Sequence, residues 1–143
     1  MSLERLIGEH DDIEVLSRSI QILTRQEPPD FEKTSILVAQ LARDVTEHLE
    51  YEYSTVYAVL IARYATVPSA GADRFKHLFE DLRSSWSGYF ATWNEDHVRA
   101  DWTGFCHATA EIFPHLQSCA RKELNIVYSL ALNDGTIKLR KPI

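Results

Sequence analysis

Four ionisable side chains stand where helical periodicity calls for apolar ones. His48 and Glu52 are four residues apart, so one helix carries both on the same face, a turn apart. They interrupt a stripe that otherwise reads Val38, Leu41, Val45, Val56 and Val59 at spacings of three and four. Glu123 interrupts a second stripe, of Phe105, Thr109, Ile112, Leu116, Cys119, Ile126 or Val127, and Leu130. His10 follows Leu3, Leu6 and Ile7 and precedes Ile13, Leu16, Ile20 and Leu23, on or close to a third buried face. A lone buried carboxylate is costly unless it is paired or bound to a metal, so these groups need a shared reason to be there. A weak internal repeat supplies one. His48-Leu-Glu-Tyr-Glu52 followed by Val56-Tyr57 aligns with Cys119-Ala-Arg-Lys-Glu123 followed by Val127-Tyr128. Facing helices of a bundle use such pseudo-twofold symmetry to deliver carboxylates to metal ions in the core.

The elements that must position these groups follow from the Pro and Gly clusters. The chain has 143 residues, 45% hydrophobic and 25% charged, which is the usage of one globular domain. Five Gly and five Pro are too few to punctuate an all-β sandwich or barrel. The breakers instead divide the chain into four long helical segments. The first runs from about Ser2 to Gln26 and stops at Pro28-Pro29; Asp30 caps the second, with Glu32 in its first turn. The second reaches about Tyr64, before Pro68-Ser69-Ala70-Gly71, and the third runs from near Asp73 to about Trp93. The fourth begins after Asn94 and ends near Leu132, with Pro114 expected to kink or split it. Short connections join antiparallel neighbours, so the expected fold is an all-α, up-down-up-down antiparallel four-helix bundle over residues 1–132, with 133–143 as a C-terminal tail.

Charge and cysteine content exclude whole classes. A net charge of −6 and a pI near 5.5 leave no basic footprint for nucleic acid or anionic membrane. No apolar run approaches the roughly 20 residues that span a bilayer, and Met1-Ser2-Leu3-Glu4-Arg5 has no signal-peptide core. Two Cys cannot form the disulfide framework of a small secreted protein, so a reducing, cytoplasmic setting is expected. There is no Gly-rich phosphate loop, no Cys-x-x-Cys pair and no Ser-His-Asp set that can be placed, and no enzyme activity is assigned.

These residues resemble the hemerythrin family, in particular its HHE cation-binding branch, over about residues 1–132. The resemblance implies one His from the first helix at His10, the His-x-x-x-Glu pair of the second at His48 and Glu52, and the fourth-helix carboxylate at Glu123. Glu52 and Glu123 match the carboxylates that bridge two irons in that family. Two of its ligands are replaced: the fourth-helix His falls on Cys119 and the third-helix His on Phe75. His77 does not substitute, since at about 100° per residue it lies roughly 150° from the centre of the stripe Phe75, Leu78 or Phe79, Leu82, Trp86, Tyr89 or Phe90, Trp93. The set that remains is suited to one ion rather than two, iron first, with Mn or Zn as alternatives. Cys119 would add a thiolate, and His115 would reach inward only if a kink at Pro114 rotated it. The expected function is binding or sensing of a small gaseous ligand, O₂ or NO, or storage of metal; an oxidase-type enzyme is the least favoured reading.

A second reading fits the same pattern. His10, His48, Glu52 and Glu123 can hydrogen-bond across a metal-free core, leaving a helical module that acts through a protein partner or by self-association. Tyr51, Tyr53, Tyr57, Tyr64, Trp86, Trp93 and Trp102 are read as core and seam residues rather than a redox relay. The run Glu9-His10-Asp11-Asp12 is read as a solvated face with only His10 turned inward.

Overall fold

The structure, a computed structural model, describes residues 3–65, 72–133, 135 and 137, apart from the side chains at 72 and 126. Ser2, the break at Pro68-Ser69-Ala70-Gly71, the Ile126 position and most of the tail 133–143 lie outside the described residues. Within them the chain is all helical, with no strand. α1 spans Leu3–Leu23 and α2 Phe31–Glu52; a π turn at Tyr53–Tyr57 then leads directly into α3, Ala58–Tyr64. α4 covers Ala72–Thr92, α5 Glu95–Ala100 and α6 Trp102–Lys122, and a second π turn at Glu123–Tyr128 runs into α7, Ser129–Asn133. Among the described residues no helix is long and apolar enough to cross a membrane.

Side-chain caps set the helix starts. Asp30 accepts from the Lys33 N–H at 3.0 Å and opens α2, as its position predicts. Asn94 accepts from the His97 N–H at 2.9 Å and opens the short α5, a separate helix where the sequence predicts one continuous segment after Asn94. Asp101 then caps α6 through Gly104 N at 2.9 Å, and Gly is suited there because a Cβ would come within 2.2 Å of the Asp101 carboxylate. α6 continues through Pro114 and is not split. Pro114 and Ala110, whose carbonyl loses its N–H partner, are both exposed, so solvent can take that carbonyl. At the far end Gly135, with φ +81°, donates to the Leu132 carbonyl, while Ile137 N–H bonds the Ala131 carbonyl and its side chain is 1% exposed in the core.

The helices enclose one core. α1 packs on α2, α2 on α4, α4 on α6, and α6 back on α1. The stripe of α4 is buried as its spacing requires, at Phe75, Phe79, Leu82, Trp86, Tyr89 and Trp93, with His77 exposed. Other stripes differ in register from simple periodicity. In α1, Ile7 is 37% exposed, because α1 opens away from α6 at this level. Past Glu52 the buried residues are Thr55, Val56, Tyr57 and Leu60, with Val59 half-buried; past Glu123 the buried apolar and aromatic residues of the helix are Val127, Tyr128 and Ala131, with Leu130 half-buried. The π turns cause both shifts. A π turn bonds i to i+5 and takes in one extra residue, so everything beyond it moves round the helix.

Candidate metal centre

The π turns also bring the polar groups of the core together. In an ordinary α-helix a residue five places on lies about 140° round the axis. In a π turn it sits over the first. Tyr57, five after Glu52, and Tyr128, five after Glu123, are thereby turned inward beside the carboxylates and are almost fully buried. Their bonds cross between helices: Tyr57 OH donates to Glu123 Oε2, and Tyr128 OH donates to Glu52 Oε2. Each copy of the internal repeat thus supplies a phenol to the other copy's carboxylate.

α1 adds imidazole to this core. His10 Nε2 lies 2.9 Å from Tyr128 OH, 3.4 Å from Glu52 Oε2 and 3.6 Å from Glu123 Oε1. From α2, His48 Nε2 lies 3.0 Å from Glu52 Oε2, and the two imidazole rings meet edge to face at 4.5 Å. One ligand atom each from His10, His48 and Glu52 falls within 4.8 Å of the others, with Glu123 adjoining through His10. His48 Nδ1–H donates to Glu9 Oε1 at 2.9 Å, so Glu9 turns inward although the charge run suggested a solvated face. Arg5 holds Glu9 in turn, at 3.3 Å, while its guanidinium stacks 3.5 Å above the Tyr51 ring.

Cys119 is buried, but it stands outside the group of three ligand atoms; its Sγ is 3.9 Å from Nε2 of the exposed His115. Burial pushes the Cys119 thiol up, away from the thiolate a metal would take. His115 stays on the outer face because α6 is not broken at Pro114.

Two carboxyls in one dry core cannot ionise equally. Burial works against the charge on Glu52, yet the hydrogen bond from His10 and the His48 imidazole beside it hold the carboxyl well below the ordinary carboxylate range. For Glu123, burial and then the neighbouring Glu52 charge push the carboxyl well above that range. Burial lowers His48, but the nearby carboxylates of Glu52 and Glu9, the second of them hydrogen-bonded to it, prevail and leave it raised. Burial, together with both carboxylates, raises Tyr57 and Tyr128 far above the usual phenol value, so both remain hydrogen-bond donors.

Whether these residues suit a cation is tested by what they leave unpaired. His48 Nε2, Glu52 Oε1 and Glu123 Oε1 are buried without a hydrogen-bond partner among the described residues, save that the Glu123 proton can lie between the two carboxyls. His48 Nε2 is close to Glu52 Oε2 but poorly aligned with it, so the short distance is not a hydrogen bond. Buried polar atoms are rarely left this way, and three of them, two oxygens and one nitrogen, form the donor set of a hard or borderline metal ion. The donor set fits.

Glu9 has the place of the outer carboxylate that fixes which imidazole nitrogen faces a metal. Glu9→Ala is expected to weaken metal affinity by about 10- to 100-fold while retaining the fold, as read by competition with a chromophoric chelator. Unchanged affinity would mean that His48 needs no such support.

Compared with known proteins, the chain matches no family model, no curated protein and no solved structure.

Proposed function

We propose that this chain is a hemerythrin-like, up-down-up-down four-helix bundle that holds a single non-haem metal ion on His10, His48, Glu52 and Glu123, iron before Mn or Zn. It would use the ion to bind or sense O₂ or NO, or to store metal, in the cytoplasm. The observation that carries the reading is the set of orphaned buried atoms, His48 Nε2, Glu52 Oε1 and Glu123 Oε1. The cyclic packing of α1, α2, α4 and α6 supports the bundle. One ion is preferred to two because Phe75 and Cys119 replace imidazoles, and because Tyr57 and Tyr128 already occupy one oxygen of each carboxylate. When bound, iron would supply a Lewis-acidic, redox-active centre open to a diatomic ligand.

The chain's own residues divide the work. His48, oriented by Glu9, presents Nε2; Glu52 supplies negative charge; Tyr57 and Tyr128 hold the two carboxylates in place; Glu123 holds a proton that a cation would displace. Elemental analysis of the purified protein, before and after anaerobic reconstitution with iron(II), is the test. About one ion per chain is the expected result, and none retained in either preparation overturns the reading.

Uptake is expected to depend on pH. In the free site Glu123 is raised and protonated and His48 is raised, so binding must release protons and affinity must climb as pH rises through those values. Calorimetric titration of iron(II) in two buffers of different ionisation heat reads this release directly. Uptake without proton release contradicts the protonation described.

The second reading is a metal-free interaction module on the same fold, acting through a protein partner or self-association. The crosswise Tyr–Glu bonds favour it, since they tie both carboxylates across the core without an ion. It expects stability indifferent to chelators and to added iron(II).

A further inference from the structure

Between α1 and α6 a cleft of about 450 Å³ descends from the surface to the His/Glu cluster. Its walls are apolar, with Leu49, Leu82, Trp86, Phe113 and Leu116 contributed by α2, α4 and α6. At the mouth stand Ile7 and Leu124, two of the large hydrophobic side chains that the fold leaves exposed, at 37% and 47%. At the inner end the lining turns polar, with His10, His48, Glu123 and Tyr128, and two of the orphaned atoms belong to residues of this wall. A diatomic gas needs only a small part of such a space, whereas organic ligands occupy pockets of about 300–1,000 Å³ with mostly apolar walls and a few convergent polar groups.

We infer that this cleft binds an uncharged amphiphile, a molecule with an aliphatic or aromatic body and a hydroxyl head directed at the His/Glu cluster. The charges present select the head. The rim carries both signs, Asp11 and Glu14 against Arg18 and Arg121, with Arg18 and Glu14 paired at 2.6 Å, so it attracts neither sign. Deeper in, the carboxyls of Glu52 and Glu123 stand 3.0–3.6 Å from the imidazoles of His10 and His48, so a charged head of either sign would leave water for groups already paired with one another. A hydroxyl both donates and accepts, so it can donate to the Tyr128 oxygen, whose own proton goes to Glu52, and meet Glu123 in either role. The body needs no ion, because the apolar walls hold it.

Isothermal titration of the full chain, once chelated and once loaded with iron(II), tests this with octan-1-ol, octanoate and octylamine. Saturable one-to-one binding of octan-1-ol is expected in the chelated protein, about tenfold or more tighter than either charged analogue. Ala120 lines the cleft, and Ala120→Phe is expected to weaken octan-1-ol by about tenfold or more by filling the space. Gln117, exposed on the rim, gives a second variant that does not burden the core: Gln117→Trp covers the mouth and is expected to act in the same direction. The inference is overturned if octan-1-ol does not bind saturably, if octanoate or octylamine binds more tightly, or if both variants bind like the parent chain. Octan-1-ol binding to a protein that retains no iron supports the cleft and removes the metal reading, so the two fail separately.

Discussion

Glu52→Ala is expected to leave a helical chain that no longer gains stability from iron(II). In the parent protein an ion bound only by the native state, at about 100 times its dissociation constant, adds about 2.7 kcal/mol, or roughly 10 °C in the melting temperature of a chain this size. Glu52 is central to that gain because it is fully buried, ionised, within 3.4 Å of both imidazoles, and has one oxygen unpaired. Truncation also costs stability without metal, about 1–3 kcal/mol, since Tyr128 and His10 lose their acceptor. Glu52→Gln separates the two effects, because it keeps the shape of the side chain and removes the charge. Calorimetric melting with chelator and with iron(II) is the measurement. The parent is expected to shift upward and both variants to stay in place; a variant that keeps the parental shift would remove Glu52 from the ligand set.

The second large effect concerns the crossed phenols, and it is expected to be unequal despite the symmetry of the repeat. Tyr128 donates to Glu52, which is held ionised; Tyr57 donates to Glu123, which is held protonated. A bond to a charged group contributes about 1.5–3 kcal/mol and a neutral one about 1 kcal/mol. In the chelated protein Tyr128→Phe should therefore cost about 1.5–3 kcal/mol and Tyr57→Phe about 1 kcal/mol, read from urea unfolding midpoints at constant slope. The double variant should depart from additivity, because all four side chains form one network. Equal costs for the single variants would mean that Glu52 and Glu123 share the negative charge evenly.

Much of this core is legible in the order of residues. Apolar spacing predicts the all-α class, the buried stripe of α4, the exposure of His77, and the burial of His48, Glu52 and Glu123, because each is a property of one helix turning at 3.6 residues. The repeat of Glu with Val-Tyr is equally visible, and it was the available signal for Tyr57 and Tyr128. Standard periodicity carries a residue five places on well round the helix, so the pattern alone reads Tyr57 as packing and gives Tyr128 no place beside a carboxylate. The inward turn of Glu9 is hidden for a similar reason: in sequence it belongs to an acidic run, and only His48, 39 residues away, gives it a partner.

The sequence by itself therefore determines the long helical segments, though not the separate short α5, and also where Asp30 starts one of them and which of their faces carry imidazole and carboxylate, because these depend on neighbours within a few residues. The crossing of the Tyr–Glu bonds, the place of Cys119 and His115 outside the group of three ligand atoms, the uneven charge on Glu52 and Glu123, and the cleft between α1 and α6 belong to the folded molecule. Each depends on how far apart separate helices stand and how dry the space between them is, and the two π turns alter both by moving one residue round the axis at the positions where the carboxylates enter the core.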